Sequence, residues 1–160
     1  MSSDRRVPSP QLADTQLADT SYGPDPQPLE RGSGDATIAE ARAAVADYVT
    51  AHCPWVSPQG VVLAVSELVS NAIRHADGWW LLRVRAGEEE LAVEIEDRSP
   101  APPEPRRPDY TGEGGLGLHI VARLVSRFEV EAGVPAGGKT VRAVWCREAD
   151  EPHRLTAQGR

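Results

Sequence analysis

What the sequence is short of narrows its chemistry first. Cys53 and Cys146 are the only cysteines among 160 residues, and they stand far apart. Two such thiols supply neither a metal-ligand cluster nor a disulfide framework, and they read as the reduced thiols of a cytosolic protein. No apolar run reaches the roughly 20 residues that span a bilayer. The polar, proline-broken start MSSDRRVPSPQ has no apolar signal core. A cytoplasmic protein with no membrane partner is expected. Basic charge is scarce too: 17 Lys and Arg against 24 Asp and Glu leave a net charge of -7. Direct binding to a nucleic-acid backbone needs clustered excess Lys and Arg, so no nucleic-acid partner is expected.

The first 34 residues have few large apolar side chains and are rich in Ser, Pro, Asp, Gln and Gly. QLAD occurs twice there, at Gln11 to Asp14 and Gln16 to Asp19, a local duplication. Such a segment cannot offset its ordering entropy, so residues 1–34 are expected to be a disordered tail. Residues 148–160 read as a second polar tail. Between them, 35–147 suffices for one ordinary soluble domain.

Within that domain the periodicities are clear. Thr37-Ile-Ala-Glu40 is a capping box, followed at helical spacing by Ile38, Ala41, Val45, Tyr48 and Val49. His52, Pro54 and Pro58 end this helix. Ser57 with Pro58 starts a second one, which runs to about Ala76 before Asp77-Gly78. Trp79 to Ala86 reads as a strand. Leu91, Val93 and Ile95 alternate with Ala92, Glu94 and Glu96 as a second strand with one buried face. A proline-loaded loop from Arg98 to about Gly114 precedes a helix over about 115–127. The inward stripe of that helix is Leu118, Val121, Leu124, Val125 and Phe128. Strands over 129–134 and 139–146 close the domain. The order implies an α+β two-layer sandwich, with helices on one face of a mixed, mostly antiparallel sheet.

Three places can carry chemistry. On the second helix Val61, Val62, Val65, Leu68, Val69, Ala72, Ile73 and Ala76 form one broad apolar face. Glu67, Asn71 and His75 lie opposite, four residues and roughly 6 Å apart. A carboxylate above an amide oxygen suits Mg²⁺ held with waters and phosphates; the same row is also what a solvated helix face looks like. Asp97 continues the inward series of its strand, and a buried carboxylate needs donors, an adenine amino group among the candidates. Alternatively the strand ends at Glu96 and Asp97 opens the turn. Gly112-Glu-Gly-Gly-Leu-Gly117 opens a helix, where glycines and free N–H groups admit phosphate oxygens; a flexible linker is the other reading.

Two motif matches fail on context. Gly133-Val-Pro-Ala-Gly-Gly-Lys139-Thr140 fits the P-loop pattern, which demands a helix after the threonine. Val141 to Cys146 alternates like a strand, so a hairpin is expected instead. Gly112, Gly114 and Gly117 fit a dinucleotide pattern that demands a strand before the first glycine. Pro-Arg-Arg-Pro-Asp-Tyr-Thr stands there.

Taken in chain order, Glu67-Leu-Val-Ser-Asn71-Ala-Ile-Arg-His75-Ala resembles the first ATP-site motif of the superfamily shared by gyrase, the MutL repair proteins and sensor histidine kinases. Glu94-Ile-Glu-Asp97 resembles its adenine-reading motif, and Gly115-Leu-Gly117-Leu118 its glycine-rich motif. The segment 37–146 most resembles the stand-alone anti-sigma factor serine/threonine kinases of the actinobacterial regulatory type. The resemblance implies a Bergerat-type ATP-binding fold with ATP and Mg²⁺ as cofactors. It makes Glu67 the general base, Asn71 the Mg²⁺ ligand and Asp97 the adenine reader. The backbone over Gly114, Gly115, Leu116 and Gly117 would hold phosphates, residues 98–113 would form a lid, and Ser99, Leu118 and Thr140 would complete the nucleotide site. His75 would give nearby support. The family's Asp-x-Gly-x-Gly here reads Asp97-Arg98-Ser99-Pro100, and Glu113 replaces a glycine. The implied partners are a sigma factor, an antagonist protein that is phosphorylated, and a second copy of the chain. A non-catalytic module that holds ATP or ADP and works by sequestration is the alternative. No helical dimerisation segment with a phospho-accepting His is seen before residue 60, which sets a sensor kinase aside.

Overall fold

Thr37 starts the first helix as its capping box requires. Its Oγ1 accepts from Glu40 N–H at 3.2 Å, and Glu40 Oε2 accepts from Thr37 N–H at 2.8 Å. The computed structural model describes residues 24–99, 117–134 and 137–148. Their elements are β1 (Leu29–Gly32), α1 (Ile38–His52), α2 (Pro58–His75), β2 (Trp80–Ala86), β3 (Glu90–Asp97), α3 (Gly117–Leu124), β4 (Arg127–Val134) and β5 (Gly138–Cys146). Ser57 caps α2, its hydroxyl accepting from Gly60 N–H, with Pro58 at the first helical position where a missing N–H costs nothing.

The five strands form one sheet in the order β1-β2-β3-β5-β4, and every pairing is antiparallel. The expected α+β layering is therefore what the chain adopts, and among the described residues the sheet is antiparallel throughout where a mixed one was expected. On the helix side, Leu82, Val84, Leu91, Val93, Ile95, Val141, Ala143 and Trp145 are buried against Ala41, Val45 and Val49 of α1, Val61, Val65, Leu68 and Val69 of α2, and Val121 of α3. The other face carries charge ladders: Arg83 with Glu30 and Glu96, and Arg142 with Glu90, Glu94 and Glu129. Cys53 is buried and Cys146 half-buried, and both are free thiols.

Three expectations need correction. The tail expected over 1–34 is ordered at its end: β1 pairs with β2 from Leu29↔Val84 to Gly32↔Leu81, and Ser33 N–H donates to Trp80 O at 3.0 Å. Residues 1–23 and 149–160 lie outside the described residues. The third helix ends at Leu124, and Arg127 and Phe128 belong to β4, which leaves Phe128 exposed. Ile73, placed in the apolar stripe of α2, is 37% exposed, and Ala64 is buried instead. The hairpin reading holds: β5 opens at Gly138, so the P-loop letters belong to a β4–β5 hairpin, as the alternation after Thr140 requires.

The edge strand gives the first testable consequence. Deleting residues 1–34 removes the β1 ladder, the partly buried Leu29 and the Arg83–Glu30 pair. The pair itself is exposed and contributes at most about 1 kcal/mol. The whole loss is expected to lower Tm by several degrees, since about 1 kcal/mol moves a domain of this size by ~4 °C. Deleting residues 1–23 alone is the control. Equal Tm values for the two truncations would show that β1 adds nothing.

Candidate functional site

Helices α2 and α3 pack antiparallel. Gly60, at the start of α2, faces Leu124 at the end of α3, while Glu67 meets Gly117 at the start of α3. The contact at Gly117 is so close that a Cβ there would overlap the Glu67 carboxylate, so any larger residue would push that side chain aside. The carboxylate thus rests against the first turn of α3. The N–H groups there have no partner within the helix, and the dipole favours negative charge. Glu67 is half-buried in this seam. Asn71, also half-buried, lies one turn further along α2 on the same face. Because the helices run in opposite directions, that turn leads away from Leu124, beyond the level of Gly117. His75, a further turn on, is exposed at the C-terminus of α2.

The second part of the site lies where β3 ends and β5 begins. Asp97 is the last residue of β3 and is 3% exposed, on the helix side of the sheet. Its carboxylate is satisfied within the chain. Oδ1 accepts from Ser99 N–H at 2.8 Å, and Lys139 Nζ lies 3.0 Å from Oδ1 and 2.9 Å from Oδ2. Asp97 and Lys139 are direct cross-strand partners, so their side chains share a face. The preceding Gly138 presses on β3: a Cβ there would overlap the Asp97 carbonyl oxygen. Arg98, the next residue after β3, stacks its guanidinium 4.6 Å from the ring centre of Trp79.

The structure therefore brings Glu67 to Gly117 at the α2–α3 seam, with Leu118 the next residue of α3 and Asn71 one turn further along α2, and it brings Asp97 and Ser99 together at the end of β3. Leu118 packs partly buried against the core. Gly114, Gly115 and Leu116, and the lid segment from residue 100, lie outside the described residues. Thr140 stands apart from Asp97. It pairs with Glu96 on β3 and Glu131 on β4, so its hydroxyl belongs to the charged face of the sheet. The residue at Asp97 is Lys139, which sequence reasoning left inside a rejected motif. Its signal was the inward alternation Lys139, Val141, Ala143, Trp145. Elsewhere, a groove of about 800 Å³ bounded by Trp55, Leu124, Trp145 and Cys146 opens at the far end of β5 and contains neither Glu67 nor Asp97.

The residues fit a nucleotide on two observations: the side-chain-free approach at Gly117 beside a helix start, and a buried carboxylate with acceptor capacity left. Among the described residues no group of three or more His, Cys, Asp or Glu could hold a metal ion by itself. Mg²⁺ fits here as an ion shared between Asn71 and phosphate oxygens, the usual manner for this cation.

The histidine kinase-like ATPase domain model matches residues 33–145, more than two thirds of the chain. The protein belongs to this family and carries its ATP-binding domain. No curated protein matches the chain. The matched segment begins just after β1. Among the described residues, no helix is long and apolar enough to cross a membrane.

Proposed function

We propose that the protein is an ATP-dependent serine/threonine protein kinase of the anti-sigma factor type, which phosphorylates an antagonist protein, sequesters a sigma factor and so controls transcription. The observation that carries this reading is the Glu67–Gly117 contact. It sets a carboxylate at the mouth of a glycine-started helix, one turn before an amide that can bind Mg²⁺. Glu67 accepts the proton of an incoming serine or threonine hydroxyl. Asn71 orients the metal-bound phosphates from the next turn, and the first N–H groups of α3 face their negative charge. Asp97 receives the adenine amino group. Bound Mg·ATP supplies the transferable phosphoryl group.

Family membership supports ATP use by a kinase or ATPase; the protein substrate is the proposed part. Incubation with labelled ATP, Mg²⁺ and candidate antagonist proteins from the same genome tests it. Label on a serine or threonine of one antagonist is the expected result. ATP binding without transfer to any antagonist would favour a module that holds ATP or ADP as a switching ligand and acts by sequestration.

A further inference from the structure

Lys139 has no part in the phosphoryl transfer just described, yet at 1% exposure it is the most deeply buried charged residue among those described. Burying an ammonium ion is costly unless it is paired and hydrogen-bonded. An ammonium has three N–H donors, and a carboxylate has about four lone-pair sites. Nζ donates to Asp97 Oδ1 at 3.0 Å and lies 2.9 Å from Oδ2, so at most two of the donors are used on the carboxylate, and among the described residues nothing else accepts from Lys139. The carboxylate uses at most three sites, one for Ser99 N–H and two for Lys139. Ser99 and Lys139 both load Oδ1, which leaves Oδ2 as the more open oxygen. The pair thus keeps one donor and one acceptor side by side, on atoms 2.9 Å apart.

That order of groups matches one purine edge. Adenine presents its 6-amino donor next to the N1 acceptor. Guanine presents the reverse, the O6 acceptor next to an N1–H donor. We infer that Lys139 is a second base-reading residue, whose ammonium donates to adenine N1 while Asp97 Oδ2 accepts from the 6-amino group. This rests on the placement of adenine at Asp97 in the proposed function. Guanine in the same seat sets O6 against the carboxylate and N1–H against the ammonium, so both contacts repel. The backbone holds the reader in place. Lys139 is held opposite Asp97 in the ladder, and Gly138 approaches the Asp97 carbonyl so closely that no side chain fits between them.

The test compares Mg·ATP with Mg·1-deaza-ATP, in which N1 becomes C–H, by calorimetric titration of the full chain and of Lys139→Met. The wild type is expected to bind the deaza nucleotide about 10- to 100-fold more weakly, the range for a hydrogen bond to a charged group. Lys139→Met is expected to bind the two within twofold of each other, a pattern that a merely structural lysine would not give. Equal affinity of the wild type for both nucleotides overturns the inference, as does an unchanged gap in the variant. If Lys139→Met does not fold, the comparison on the wild type decides alone. A wild type that binds no ATP overturns the nucleotide site itself; ATP binding without the N1 gap overturns only the role of Lys139.

Discussion

Glu67→Gln is expected to lower phosphoryl transfer by a factor of about 10² to 10⁴, the usual worth of a positioned general base, with ATP affinity changed only a few-fold. Glutamine keeps the length and the hydrogen-bonding oxygen of glutamate and loses only the basic site. It fits the same seam, where the limit on space is the absent side chain of Gly117. Removing a negative charge from the mouth of α3 also removes repulsion toward phosphates, so affinity moves upward if it moves at all. The check is a pair of measurements on one preparation, single-turnover transfer to the antagonist and equilibrium binding of Mg·ATP. Full transfer by Glu67→Gln would place the base elsewhere. Equal loss of binding and transfer would make Glu67 a binding residue.

The second large effect concerns stability. Lys139→Met leaves the Asp97 carboxylate buried at the end of β3 with only the Ser99 N–H to satisfy it. Removing one partner of a buried pair costs about 3–5 kcal/mol, because the remaining charge keeps its desolvation penalty without its counter-ion. At ~4 °C per kcal/mol, Tm should fall by roughly 12–20 °C. The double variant Asp97→Asn with Lys139→Met removes both charges and should recover part of that loss, since the net contribution of a buried pair is small. Chemical denaturation of the three proteins checks this. A loss under about 1 kcal/mol in Lys139→Met would mean that water reaches Asp97 freely.

How far the sequence disclosed this arrangement depends on whether each signal was local. The capping box at Thr37 and the Ser57-Pro58 start were legible because a helix start is decided by a few adjacent residues. Asp97 was legible because period-two alternation carries through to the end of β3, where it sits buried on the side of Leu91, Val93 and Ile95. The Gly133 to Thr140 hairpin was legible because the strand pattern that follows contradicts the P-loop letters. In contrast, β1 has four residues, one apolar residue and a proline-rich approach. Its order comes from hydrogen bonds with β2, about fifty residues away. Phe128 and Ile73 kept the helical period of their neighbours, and only tertiary placement leaves them exposed. The meeting of Glu67 with Gly117 depends on the antiparallel packing of α2 on α3, which no spacing within either segment encodes. Lys139 is the instructive miss. A lysine inside a nucleotide-binding pattern draws attention to that pattern, while its inward register on β5 pairs it with the carboxylate on the neighbouring strand.

Thermal unfolding with and without nucleotide tests the central claim, that the end of β3 and the α2–α3 seam form one ATP site. Mg·ATP at a hundred times its Kd stabilises a folded protein by roughly 2.7 kcal/mol. With ~4 °C per kcal/mol, Tm should rise by about 10 °C. No rise at millimolar Mg·ATP would contradict the account.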